Sequence, residues 1–133
     1  MNLALVEQLK LHEGKRNLPY EDTEGHLTIG YGHNLDVPLS DKAIEQILLD
    51  DIATAESELD RIFPDWRDLS ESRQNVLVDM MFNLGAPRYL SFVKFWAAMR
   101  EEDYQTAAEE MVDSKWAIQV GTRAEVLADM MRG

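Results

Sequence analysis

The chain has 133 residues, no cysteine and a formal net charge of −12 at pH 7. This length fits one domain, possibly two lobes on one core, and the lack of cysteine excludes disulfides and thiolate metal clusters within it. The acidic charge disfavours binding to nucleic acid or to an anionic membrane surface.

The first segment predicts a helix over about residues 3–12. Asn2 can cap this helix, apolar residues recur on one of its faces, and Gly14 can end it. The residue before that glycine is Glu13. The negative end of the helix macrodipole lies there and disfavours a charged carboxylate, which suits a general acid. No apolar run in this segment is long enough for a signal peptide or a membrane span, so we expect no stable membrane insertion.

Residues 13–38 predict a small β-hairpin lobe. The apolar spacing changes there to two short strands around a polar turn that contains Asp22 and Gly25. Alternation along the return strand directs the hydroxyl of Thr28 toward the side on which Asp22 lies. Glu13, Asp22 and Thr28 can therefore converge on a cleft as an acid, a carboxylate and a hydroxyl.

The remaining residues predict helices. A helix over about 41–63, after Ser40 and before Pro64, is long enough to bridge two lobes. Residues 64–133 predict a helical lobe, which helix 3–12 would join. The expected N-caps in this region are Ser70, Ser91, Asp103 and Thr122, the last in a capping box with Glu125.

Methionine and aromatic residues recur at helical spacing along these helices, which favours core packing over a cofactor pocket. No metal-binding or nucleotide-binding motif is present in the sequence, so we expect neither a metal nor another cofactor. Together the elements predict a mostly helical α+β fold.

The spacing of Glu13, Asp22 and Thr28 resembles the E-8-D-5-T catalytic pattern of the phage lysozyme family. The surrounding sequence DTEGHLTIGYGH is similar to the T-even-phage type within that family. Segments from about residue 3 to residue 131 align in order, including FNLG at 82–85 and SKW at 114–116. The resemblance implies a single lysozyme-like domain over residues 1–133, with a small hairpin lobe, a bridging helix and a helical C-terminal lobe.

The resemblance implies an endolysin-type muramidase. Such enzymes hydrolyse the β-1,4 bond between N-acetylmuramic acid and N-acetylglucosamine in peptidoglycan, and no cofactor is required. Glu13 would protonate the leaving oxygen, and Asp22 with Thr28 would hold the attacking water, which leads to inversion. Gly30 and Gly32 would let backbone and sugar approach closely. We expect a monomer that is made in the host cytoplasm without a signal peptide and acts on the cell wall after release.

The resemblance also assigns residues around the reaction centre. It implies a structural ion pair between His33 and Asp51. The segment between hairpin and bridging helix is shortened to LDVPL at 35–39, which predicts a minimal small lobe and an open cleft. The positions that correspond to substrate-binding residues of the family are Asn34, Phe82, Asn83 and Phe95.

Three other functions are alternatives to a muramidase. A non-catalytic wall-binding or inhibitory module would bind peptidoglycan without releasing reducing ends. An acidic helical interaction protein would need none of Glu13, Asp22 and Thr28. A lytic transglycosylase would cut the same bond without water, whereas Asp22 and Thr28 can position water and so favour hydrolysis.

Overall fold

The computed structural model describes residues 2–133. It divides into two compact units, one ending at Glu45 and the other running from Gln46 to Gly133. The long helix Asp41–Ile62 begins in the first unit and continues in the second. The lobe boundaries expected from the sequence stay predictions.

The first unit contains one helix and a three-stranded antiparallel sheet with strand order β1-β2-β3. Asn2 caps the helix by accepting a hydrogen bond from the backbone N–H of Leu5 at 3.0 Å, and Gly14 follows its last residue, as predicted. The short third strand adds to the predicted hairpin. The bounds are α1 (Leu3–Glu13), β1 (Arg16–Glu21), β2 (Leu27–Gly30) and β3 (His33–Asn34).

The second unit is helical, and its core is built from the apolar stripes that the sequence predicts. Val76, Met80 and Trp96 are buried there, together with Met99 and Met111. The elements are α2 (Asp41–Ile62), a 3-10 helix (Pro64–Asp68), α3 (Glu71–Leu84), α4 (Ala86–Leu90), α5 (Val93–Arg100), α6 (Tyr104–Val112), α7 (Lys115–Val120) and α8 (Thr122–Arg132). Within residues 2–133, none of the helices combines the length and the apolar character needed to cross a bilayer.

The three tryptophans of the chain all lie in the second unit, and each indole N–H donates a hydrogen bond. These bonds leave no indole donor unsatisfied, which matters because an unpaired buried donor is costly. Trp66 bonds Oδ1 of Asp60 at 2.8 Å, Trp96 bonds the carbonyl of Tyr89 at 2.7 Å, and Trp116 bonds Oδ1 of Asn83 at 2.8 Å.

The helix start predicted at Ser91 is wrong. Gly85 ends α3, and Pro87 lies in the first turn of the next helix, α4. Proline fits there because the first helical N–H groups have no partner within the helix. The hydroxyl of Ser91 donates back to the carbonyl of Arg88 at the end of α4, and α5 begins only at Val93.

The capping box predicted at Thr122 and Glu125 is also wrong. Thr122 is already the first helical residue of α8, and Gly121, which has no side chain to donate or accept, occupies the cap position. The preceding turn is explained by another short helix, α7. Ser114 caps it by accepting a hydrogen bond from the N–H of Ala117 at 3.1 Å.

Candidate active site

Glu13 ends α1, and its exposed side chain reaches the turn between β2 and β3. Its Oε2 atom lies 2.7 Å from the position that a Cβ would take at Gly32. Nearby, the Lys10 ammonium lies 5.8 Å from the ring centroid of Tyr31. The end of α1 is thus placed against this turn, and the group that approaches Gly32 is the Glu13 carboxylate. The close approach of a sugar to Gly30 and Gly32 stays a prediction.

Asp22 closes the β1–β2 turn with one carboxylate oxygen. Its Oδ1 accepts hydrogen bonds from the N–H groups of Glu24 at 2.9 Å and His26 at 2.8 Å. Gly25, at φ 81°, donates its N–H to the Asp22 carbonyl, which confirms the predicted tight turn. The backbone hydrogen bond from His26 is the main cause of a lowered pKa for Asp22. The carboxylate is therefore ionised under mildly acidic and neutral conditions. Its Oδ2 lies 3.6 Å from Nδ1 of His26.

Thr28 is 3 % exposed, and the strand register indicates on which side of the sheet it lies. Tyr20, Thr28 and Asn34 are cross-strand neighbours, so their side chains share one face. Asp22 is two residues beyond Tyr20 and continues the ladder through its N–H bond to the His26 carbonyl at 2.9 Å. The register therefore agrees with the side predicted for Thr28. Its hydroxyl donates to the same carbonyl at 2.9 Å, which leaves the oxygen free to accept.

Asn34 and His33 form the short third strand. The Oδ1 atom of Asn34 accepts a hydrogen bond from the N–H of Asp36 at 2.8 Å, so the side-chain NH₂ of Asn34 remains available beside Thr28. His33 is half-buried, and its Nε2 atom is buried without a hydrogen-bond partner among residues 2–133. Its pairing with Asp51 stays a prediction.

In the second unit, Phe82 and Asn83 lie at the end of α3 and are exposed. Phe82 is 46 % exposed and lines a cavity of about 650 Å³ together with Asp51. Asn83 accepts the indole hydrogen bond of Trp116 through Oδ1, which leaves its NH₂ group free to donate. Both side chains are accessible to a ligand.

Phe95 does not fit the role that the resemblance assigned to it. Its side chain is 1 % exposed, and its ring lies 5.0 Å from that of Trp96 and 5.8 Å from that of Tyr89, centroid to centroid. A ring packed in this aromatic cluster has almost no surface to offer a sugar. We therefore leave Phe95 out of the substrate site proposed below.

The first unit thus gathers an exposed carboxyl group, a fixed carboxylate and a buried hydroxyl around one small sheet. Such a set can donate a proton at one point and hold a water molecule at another. In the part of the chain that the structure describes, no group of three histidine or acidic side chains is placed to hold a metal ion.

Residues 10–132 match the family model for phage lysozymes. The chain belongs to the phage lysozyme family. This membership classes it among lysozyme-type glycoside hydrolases. The predicted lysozyme-like α+β class, mostly helical with a small antiparallel sheet, is confirmed.

The relatives differ in how much of their own length this domain represents. The pre-baseplate central spike protein Gp5 of Enterobacteria phage T4 is 30 % identical over 92 % of this chain, which spans only 26 % of the spike protein. Probable T4-type lysozymes 1 and 2 of Dictyostelium discoideum are 24 % and 25 % identical over 91 % of this chain and 89 % of their own lengths. A segment similar to this chain therefore occurs both within a much longer protein and as most of the length of a shorter one.

Proposed function

We propose that the chain is an endolysin-type muramidase that hydrolyses the β-1,4 bond between N-acetylmuramic acid and N-acetylglucosamine in peptidoglycan, with inversion. The main support is the placement of Asp22 and Thr28 on one side of the sheet in a member of the phage lysozyme family, with Glu13 against a turn of the same sheet. The substrate is the glycan strand. The enzyme acts as a monomer on the cell wall after release from the cell that makes it.

Glu13 is the general acid in this proposal. It donates its proton to the bridging oxygen as the bond from that oxygen to the muramic acid anomeric carbon breaks. Its carboxyl group is exposed at the end of α1, so a glycan strand can reach it. The charge that develops on the sugar is partly stabilised by the ionised Asp22.

Asp22 and Thr28 position the attacking water. Thr28 is only 3 % exposed, which leaves room for a water molecule but not for a sugar, and its hydrogen is already used in the bond to the His26 carbonyl. In this proposal the Thr28 oxygen accepts one hydrogen of the water while Oδ2 of Asp22 accepts the other. The water oxygen then bonds to the anomeric carbon, and its proton passes to Asp22. Attack from the face opposite the leaving group gives inversion, for which the two carboxyl groups stand roughly 6.5–9.5 Å apart. Solvent exchange restores the proton on Glu13 and removes the one on Asp22.

We propose substrate contacts within each unit separately. In the first unit, the NH₂ group of Asn34 can donate to sugar oxygens or acetamido carbonyls. In the second unit, the exposed ring of Phe82 offers an apolar face to a sugar, and the NH₂ group of Asn83 can donate to the same kinds of acceptor. None of these side chains takes part in proton transfer.

The first prediction concerns Glu13. Glu13→Gln keeps the shape of the side chain but cannot donate the proton, so release of reducing ends from purified sacculi should fall by about three decades. Glu7→Gln, an exposed glutamate on the same helix, is the matched control and should keep the parent rate. A Glu13→Gln variant that clears sacculi at nearly the parent rate would remove Glu13 as the acid.

The products separate the proposal from its alternatives. Hydrolysis releases muramic acid with a free reducing end, and inversion makes the α-anomer the first product detected by NMR. A lytic transglycosylase would leave anhydro-muramic ends, which are lighter by one water. A wall-binding module would release neither product.

A further inference from the structure

The position that a Cβ atom would take at Gly32 lies close to the side chain of Glu13. The φ of Gly32 is +76°, and a Cβ built on its backbone would lie 2.7 Å from Oε2 and 3.2 Å from the carboxyl carbon of Glu13. Non-bonded carbon atoms pack favourably at about 3.5–4.0 Å, so the space that a Cβ would need is already filled by the Glu13 carboxyl group. At Gly30, which also has a positive φ of +70°, a Cβ would meet no atom within 4 Å.

We propose that Gly32 is a positioning residue for Glu13. Because Gly32 has no side chain, the Glu13 carboxyl group can pack directly against its backbone. This inference rests on the proposed function, in which Glu13 is the general acid. Glutamate has several rotatable bonds, and a general acid works only when it is held within hydrogen-bond reach of the leaving oxygen. Direct contact with the β2–β3 turn removes one side of the space in which the carboxyl group could otherwise swing.

A side chain at position 32 should displace the carboxyl group and leave the turn largely in place, because the Glu13 side chain is the more flexible partner. A shift of about 1 Å in a catalytic group can cost on the order of 10²-fold in rate. Substrate contacts made by other residues would remain. The loss should therefore appear in kcat and leave KM nearly unchanged.

The contact itself is tested by a double-mutant cycle of Gly32→Ala and Glu13→Ala. The readout is the opening equilibrium constant of hairpin amides from hydrogen exchange. Alanine at a positive φ strains the backbone in both backgrounds, so only the clash with Glu13 differs between them. Gly32→Ala should raise the opening equilibrium constant, and this rise should be about twofold smaller in the Glu13→Ala background; the coupling is modest because the flexible Glu13 side chain can move aside. Gly30→Ala is the matched control and should show no coupling to Glu13→Ala.

The catalytic consequence is tested on purified sacculi. Gly32→Ala should lower kcat about 10²-fold and change KM less than about twofold. If Gly32→Ala alone fails to fold, the double variant with Glu13→Ala must regain the folded hairpin. If the two substitutions show no coupling and the double variant does not regain the folded hairpin, the proposed contact between Gly32 and Glu13 is wrong.

Two further outcomes separate this inference from the proposed function. A parent-like kcat for Gly32→Ala beside an inactive Glu13→Gln overturns the positioning role and leaves the muramidase proposal intact. An active Glu13→Gln overturns both, because Glu13 is then not the acid.

Discussion

Asp22 shows how one residue can serve the fold and the proposed chemistry with separate atoms. Its Oδ1 closes the turn by accepting the N–H groups of Glu24 and His26, while Oδ2 takes no part in closing the turn and lies 3.6 Å from Nδ1 of His26. The bonds to Oδ1 also keep the group ionised, because they favour the charged form. The turn thus prepares the carboxylate for the role proposed for it.

Two substitutions at Asp22 should separate these roles. Asn keeps an oxygen that can accept both N–H groups, whereas Ala removes it, so Ala should lower the exchange protection of hairpin amides and Asn should nearly preserve it. Both variants should lose most wall hydrolysis, since neither carries the negative charge. An active Asp22→Asn variant would show that the charge is not needed.

Secondary-structure elements were predictable where their ends depend on a few adjacent residues. A cap requires only a side chain and an N–H up to three positions away, and the expected caps at Ser70 and Asp103 both form, as does one at Ser40 before α2. Ser91 and Thr122 failed because short helices precede them, and five-residue or six-residue helices give too few apolar repeats for their periodicity to be recognised.

Contacts between elements were less accessible to sequence reasoning. The side on which Thr28 lies follows from the alternation of side chains along a strand. The pairing of the third strand with β2 and the contact of Glu13 with Gly32 depend instead on tertiary structure. Phe95 illustrates the same limit, because a position aligned with a family contact is occupied here by a large apolar ring that the core can bury. The spacing of residues in the sequence predicts which face of a helix or strand they share, whereas tertiary packing decides which of their side chains remain exposed to solvent.

The end of α2 is joined to the 3-10 helix through Asp60. Its Oδ1 accepts the indole N–H of the buried Trp66 and the Nε–H of Arg67, the latter at 2.9 Å. The hydrogen bond from Arg67 is the largest cause of a lowered pKa for Asp60. This carboxylate therefore stabilises the folded state in its ionised form.

We expect Asp60→Asn to lower the melting temperature at pH 7, measured by circular dichroism. Because the folded pKa of Asp60 is depressed, its stabilisation is fully present above the unfolded pKa of about 3.9 and is lost as pH falls through the lower folded value. The deficit of Asp60→Asn should thus shrink below about pH 4. Asp65→Asn, an exposed acid in the same 3-10 helix, is the control. An Asp60→Asn deficit independent of pH would contradict the assignment.

At the scale of the whole molecule, the net charge of −12 should slow association with an anionic cell wall. Like charges repel at low salt, and the Debye length falls from roughly 30 Å at 0.01 M to about 8 Å at 0.15 M ionic strength. Initial rates on purified sacculi should therefore rise, or at least not fall, over that interval. Sacculi with amidated carboxyl groups should remove the dependence. A steep fall in rate would instead indicate a local basic patch, such as Lys15 and Arg16, that governs encounter.

The placement of every tryptophan in the second unit has an optical consequence. Fluorescence excited where only indole absorbs comes from residues 46–133, and no indole lies in the hairpin that holds Asp22 and Thr28. Parent-like emission of a variant therefore does not show that its hairpin is closed, and a structural loss of activity could be mistaken for a purely chemical defect. Replacing Tyr20 or Tyr31 with tryptophan in a Trp66→Phe, Trp96→Phe, Trp116→Phe background would move the reporter into the unit where the reaction is proposed to occur.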